Sequence, residues 1–182
     1  MKRLVLALFV LTAVGAGSLV HAQEVFCKIT GSKQGVIKGD NTIKGLEDTI
    51  PVLALSEGVS SPIDQTTGQV TGRRVHKPFV IVKTLDSASP KLFMAAVTNE
   101  NLTSVECSFY RRSRVGTMQL YFKIKLENAL ISSQDIGGDN LGGNVIRQNP
   151  GVQETVQFVF QKITLQDTVS GTVATDDWEV IQ

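Results

Sequence analysis

Strict two-residue alternation of apolar and polar side chains is the feature that most narrows what this chain can fold into. From Leu120 to Leu126 the even positions are Leu120, Phe122, Ile124 and Leu126, with Tyr121, Lys123 and Lys125 between them. Successive side chains of a strand point to opposite faces, so this run predicts a strand with one face in a core and the other in water. Val152, Val156, Phe158 and Phe160 alternate in the same way with Gln153, Thr155 and Gln157, and Leu102 to Tyr110 repeats the pattern. Two shorter runs, Phe79-Val80-Ile81-Val82 and Ile50 to Leu55, are apolar on both sides. Uniformly apolar strands are those covered on both faces.

One segment departs from this period. Ser89-Pro90-Lys91-Leu92-Phe93-Met94-Ala95-Ala96-Val97 opens with a serine suited to the N-cap and a proline suited to the first helical position. Leu92, Phe93, Ala96 and Val97 then share one helical face, and Asn99 is a natural stop. Two polar loops stand out. Residues 60–74 contain Pro62, Gly68 and Gly72, and residues 137–151 hold five glycines with Asn140, Asn144, Asn149 and Pro150. Loops of that length in a compact domain are functional or mobile. There is no internal repeat and no boundary that splits the chain. The expected fold is mainly β, a compact two-sheet β-barrel or sandwich with one short α-helix, formed by a single domain over residues 23–182.

Residues 1–22 read as an export leader. Lys2 and Arg3 precede an uncharged stretch from Leu4 to Gly17, and Val20 and Ala22 stand at −3 and −1 of a cleavage site before Gln23. The apolar stretch is shorter than the ~20 residues a membrane helix needs. The mature chain is therefore expected in the periplasm or the medium, without a membrane span. Loss of Lys2 and Arg3 turns 18 basic against 17 acidic residues into 16 against 17, a net charge of −1. That balance gives no reason to expect nucleic acid or an anionic membrane as a partner.

Two cysteines, Cys27 and Cys107, fall on the apolar faces of their strands, with Val25 and Ile29 and with Val105 and Phe109. They are either small buried hydrophobes or the two halves of a disulfide, which an exported chain permits. A domain of this size buries enough surface to fold without a covalent staple.

The sequence offers little chemistry. His76 is the only histidine after the leader, it sits among Arg74, Lys77 and Pro78, and no G-x-S-x-G elbow accompanies it. It reads as a structural or interface residue. One histidine and two cysteines 80 positions apart do not make a zinc site. Gly137-Gly138-Asp139-Asn140-Leu141-Gly142-Gly143 lacks the Lys-Ser/Thr of a phosphate loop. Asp176-Asp177 and Glu47-Asp48 lie in polar, solvated stretches, and Arg111-Arg112-Ser113-Arg114 has no interleaved aromatic residues. No catalytic, cofactor-binding or metal-binding residue is expected, and the chain is not read as an enzyme.

A longer, more idiosyncratic pattern runs through Gly72-Arg73-Arg74-Val75-His76-Lys77-Pro78 and continues from Lys83-Thr84-Leu85-Asp86 to Ser89-Pro90-Lys91-Leu92-Phe93. Lys28 to Gly35, Lys38-Gly39-Asp40, Thr98 to Leu102, Phe109-Tyr110-Arg111, Phe160 to Thr164 and Asp177-Trp178 extend it. Over these segments, essentially the whole mature chain resembles the haemolysin-coregulated protein (Hcp) family, the ring-forming tube subunits of bacterial type VI secretion. The resemblance implies two β-sheets with one helix against them, a homohexameric ring, and rings stacked into a tube. It also implies contact with secretion-machine components, effector cargo in the lumen, and no chemistry. Val70, Gly72 and Arg73 of the 60–74 loop are then the candidate ring-stacking residues. Tube subunits of the family assemble in the cytoplasm, where a general export leader has no place. A second expectation therefore stands beside the first: an exported Hcp-like binding module that acts in the periplasm or medium without building a tube.

Mass spectrometry of the protein recovered from a bacterial envelope or culture medium is expected to find Gln23 as the first residue. A cytosolic species that keeps residues 1–22 as the main form would remove the leader.

Overall fold

The computed structural model describes residues 23–113, 117–137 and 152–179; the leader, most of the 137–151 loop and Arg114 lie outside the described residues. Eleven strands and one helix follow in order: β1 (Gln23–Gly31), β2 (Gly35–Ile37), β3 (Ile50–Val52), β4 (Ala54–Ser56), β5 (Val59–Ser60), β6 (Val75–His76), β7 (Phe79–Thr84), α1 (Ser89–Val97), β8 (Leu102–Arg112), β9 (Met118–Ile136), β10 (Gln153–Asp167) and β11 (Val173–Asp177). Nine strands form one sheet in the order β2-β1-β8-β9-β10-β7-β4, with β3 added beside β1 and β11 beside β10, while β5 and β6 make a separate two-stranded sheet. The mainly β, two-sheet fold with one short helix is as expected. The sheet is not closed as a barrel. β3 and β4 follow one another in the chain, one on β1 and the other on β7, so they draw the two ends of the sheet toward each other around the core.

That one sheet can wrap a core is explained by a change of face in its three longest strands. In β9 the fully buried positions are Leu126 and then Ala129; in β10 they are Glu154, Val156 and Phe158 and then Ile163; in β8 they are Leu102 and then Val105 and Cys107. Each strand switches between even and odd numbers. The switches line up, because Leu102 pairs with Ala129 and Phe160 with Ala129, while Ser104 pairs with Glu127 and Lys162 with Glu127. Asn128, in the middle of this row, has a φ of 51° and donates from Nδ2 to Gln161 Oε1 at 2.8 Å. A left-handed residue inside a strand turns the following side chains over, and asparagine is among the few non-glycine residues that accept this conformation readily. The alternation read from Leu120 therefore ends at Leu126 for a physical reason.

Two expectations are corrected here. β7 and the 50–55 run are not covered on both faces: Phe79, Ile81, Ile50 and Val52 are buried, but Val80 and Val82 are only half-buried and Leu53 is 57% exposed. One chain supplies cover for one side only. In α1 the N-cap position is Ala88, with no side-chain cap, and Ser89 points inward instead. The inward residues are Ser89, Leu92 and Ala95, whereas Phe93, Met94 and Val97 are each at least half exposed. Two overlapping apolar stripes run along this helix, and the anchor at Ser89 decides which one faces in. Asn99, with a φ of 48°, does follow the helix end.

That anchor is a buried charged cluster. Lys83 of β7 pairs directly with Glu154 of β10, both fully buried, and the two side chains form an ion pair. Lys83 Nζ also donates to Thr84 O at 2.9 Å, Asp86 Oδ1 at 2.7 Å and Ser89 Oγ at 3.1 Å. The Ser89 hydroxyl donates to Glu154 Oε1 at 2.6 Å, and Gln134 Nε2 of β9 donates to Glu154 Oε2 at 2.6 Å. Cys27 and Cys107 also meet in the core, directly opposite across β1 and β8 with Cα atoms 4.0 Å apart, and are joined by a disulfide.

Removing one member of a buried ion pair leaves the other charge unpaired, at a cost of about 3–5 kcal/mol. Lys83→Met is expected to lose that much in denaturant unfolding, and Lys83→Met combined with Glu154→Leu to recover most of it. A Lys83→Met chain as stable as the parent would show that the cluster does not hold the fold.

Candidate functional site

The 60–74 segment is an ordered arm. β5 and β6 pair Val59 with His76 and Ser60 with Val75, and the ladder continues outward through Thr71 N to Pro62 O at 2.9 Å and an isolated bridge between Ile63 and Val70. Its tip closes by Asp64 N to Gln69 O and Gly68 N to Asp64 O, both at 2.8 Å, and Gly68 has the positive φ, +71°, that the turn requires. Asp64 Oδ1 accepts from Thr66 N at 2.7 Å, and the Thr66 and Thr67 amides hold its carboxyl below the usual range. A Cβ at Gly72 would stand 3.0 Å from Pro62 Cγ, so glycine lets the two limbs of the arm approach. Val70, Gly72 and Arg73 all lie exposed on the returning limb, and Ile63 and Val70 are 58% and 66% exposed.

The root of the arm is clamped to β11. Both Asp176 carboxylate oxygens accept from the Arg74 guanidinium, and Arg74 Nη2 also donates to Asp177 O at 3.2 Å. His76 Nε2 lies 2.6 Å from Asp176 Oδ2, and its ring packs against Phe160 and Trp178 at centroid distances of 5.4 and 5.6 Å. The guanidinium beside Asp176, helped by His76 and opposed by partial burial, pulls that carboxyl down to about 2. Asp176 in turn raises Arg74. Asp176 is thus not the solvated acidic residue its local sequence implied. Its partner Arg74 stands 102 positions away, and no local pattern encodes that distance.

Ser89 and Lys83 form a hydroxyl–amine pair of nucleophile type, but the ammonium lies among carboxylates, Ser89 donates to Glu154, and both are sealed in the interior. Among the described residues no three His, Cys, Asp or Glu side chains are grouped to hold a metal ion. A shallow cavity of about 250 Å³ is lined by Lys33, Gln34, Met94, Thr98 and Glu100. Glu100 accepts from Lys33 N, Gln34 N and Gln34 Nε2 at 2.7, 2.8 and 2.9 Å. Burial pushes the Glu100 carboxyl up, but these donors outweigh it and the net displacement is downward. It buttresses the β1–β2 turn.

The outer face of the sheet divides in two. Over β1, β8 and β9 it carries a charge ladder, Lys28 opposite Glu106 opposite Lys125, with ion pairs from Lys123 to Glu106 at 2.9 Å and Lys162 to Glu127 at 3.3 Å. Over β4, β7, β10 and the end of β9 apolar and neutral polar residues predominate. Val80 lies between Ser56 and Gln157, Val82 between Ala54 and Thr155, and Val159 opposite Leu130, with Asp135 at the rim. Outside these two zones, α1 presents Phe93, Met94 and Val97 to solvent.

The clamp carries its own pH dependence. The Asp176 carboxyl lies at about 2 against a usual 3.8, so its stabilisation is complete above pH ~4 and is lost as pH falls through 2. Asp176→Asn should leave the sheet folded while amide exchange across residues 60–74 speeds roughly tenfold at neutral pH, because a bidentate charged contact is removed. Unchanged exchange there would show that the clamp does not order the arm.

Comparison with known proteins agrees with this architecture. The family described as "Type VI secretion system effector, Hcp" matches residues 26–166. The "Major exported protein" of Pseudomonas aeruginosa is 39% identical over 171 residues, covering 86% of this chain and 96% of the relative. Hcp1 from Escherichia coli EAEC 042 superposes with a TM-score of 0.75 at 29% identity, over 86% of this chain and 99% of that one. The secreted protein Hcp3 from Pseudomonas aeruginosa gives 0.67 at 32% identity, over 87% and 100%. No helix among the described residues is long and apolar enough to cross a membrane. The matching family and the exported relative place this chain among exported proteins. It belongs to the Hcp family of type VI secretion.

Proposed function

We propose that the mature protein is a non-enzymatic, self-assembling subunit that forms hexameric rings and stacks them through the 60–74 arm. One observation carries this. Val80, Val82, Leu53, Val159 and Leu130 lie in strands whose runs are apolar enough for a sheet covered twice, or on their immediate neighbours, yet among the described residues they stay half-buried or exposed, with Asp135 as a charge at the rim. A second copy supplies the missing layer without burying a charge. The exposed stripe of Phe93, Met94 and Val97 adds to the same economy, since apolar side chains at a ring contact are covered by the neighbour. The arm exposes Ile63 and Val70 beyond a root clamped by Arg74 and Asp176, which suits a contact between stacked rings, and Val70, Gly72 and Arg73 are assigned to that contact. Cargo carried in the ring lumen and docking to secretion-machine components follow from the family resemblance.

The leader favours a second reading, an exported Hcp-like module that captures a partner without building a tube. The native particle separates the two. Light scattering on the purified mature chain is expected to give about six subunits. Val80→Glu with Val159→Glu should give folded single subunits, with an unfolding midpoint lowered only by the loss of association. Replacing 65–71 by a short Gly-Ser linker should keep rings but reduce stacks seen by electron microscopy. A parent protein that stays a monomer at high concentration would overturn ring formation and leave the binding module.

A further inference from the structure

We infer that Cys27 and Cys107 are substrates of a thiol–disulfide oxidoreductase outside the cytoplasm, which joins them before the core closes. The two residues face each other in the β1–β8 ladder and are bonded. Both are fully buried, within a core cluster that includes Ile29, Val105, Ile124 and Leu126. A sulfur that no solvent reaches cannot be attacked by an oxidant protein, so the bond must form while β1 and β8 are still open. Oxidising compartments make such bonds and the cytosol does not hold them, which independently matches the export leader.

The chain's own inventory fixes which enzyme activity is needed. Its sequence has two cysteines and no more, so one pairing exists and no isomerase step is required. A single oxidant suffices. Cys27 lies near the start of the mature chain and Cys107 80 positions later, so Cys27 is available first during translocation. The Cys27 thiolate attacks the enzyme's disulfide, forming a mixed disulfide and releasing one enzyme thiol. The Cys107 thiolate then attacks Cys27 Sγ, forming the protein disulfide and releasing the second enzyme thiol. Two protein thiols are oxidised and one enzyme disulfide is reduced to a dithiol, with no other reactant.

The experiment uses the full chain in a bacterium, in strains with and without the envelope oxidant, beside a chain lacking residues 2–22. Cells are acid-quenched, and the denatured protein is treated with a maleimide–polyethylene glycol without reductant. The exported chain is expected to take no adduct in the oxidant-competent strain, and the cytosolic chain two. Without the oxidant the exported chain should take two adducts or fall in abundance. In that case Cys27→Ala with Cys107→Ala should accumulate equally in both strains. Cys107→Ala, expressed with an oxidant that lacks its own second cysteine, should trap a covalent complex on Cys27 that reductant releases. Two adducts on the exported chain in the competent strain, full blocking in the cytosol, no trapped complex, or equal loss of the alanine variant would each overturn the inference. Every readout is taken on denatured chains, so failure of ring assembly leaves the result unaffected.

Discussion

A lysine with no contact to water, Lys83, lies opposite a glutamate with none, Glu154, and the rest of the domain is arranged so that this pair is never left incomplete. The desolvation of two charges is compensated only by geometry that gives each polar atom a partner. Asp86, Ser89, Gln134 and the Thr84 carbonyl provide those partners from β7, the following turn, α1 and β9. The cluster therefore fixes the β7–β10 register, the end of β9 and the rotation of the helix together. A slip of one residue in any of them would bury an unpaired charge. The same requirement turns Ser89 inward and so sends Phe93, Met94 and Val97 outward.

Around this fixed end the long strands change face at the row through Asn128 and Gln161. On one side of the row the outer face is laced with ion pairs, which keep it in water. On the other side apolar and neutral polar residues predominate, with Asp135 at the rim. The arm extends separately, held by Arg74, His76 and Asp176 at its root rather than by contact along its length.

The long strands and the helix were legible in the sequence because each depends on neighbours within a few positions. Alternation marks a half-buried strand, serine and proline mark a helix start, and glycine and proline mark turns. The uniformly apolar runs at 50–55 and 79–82 misled, because Ile50, Val52, Phe79 and Ile81 are buried on one face while Leu53 on the other is 57% exposed.

What the tertiary structure alone decided are the pairings between distant positions. Lys83 meets Glu154 across 71 residues, Arg74 meets Asp176 across 102, and Cys27 meets Cys107 across 80. A period-2 pattern is unchanged by shifting one strand two residues along its neighbour, so alternation tells which face is buried but not which residue stands opposite. Register is set by the summed free energy of many cross-strand contacts at once, and the choice between the two stripes of α1 by a buried cluster drawn from four elements. The sequence alone determined that this chain builds strands, one helix and a long arm; only the packed fold decided which charges pair, and so which face is left bare.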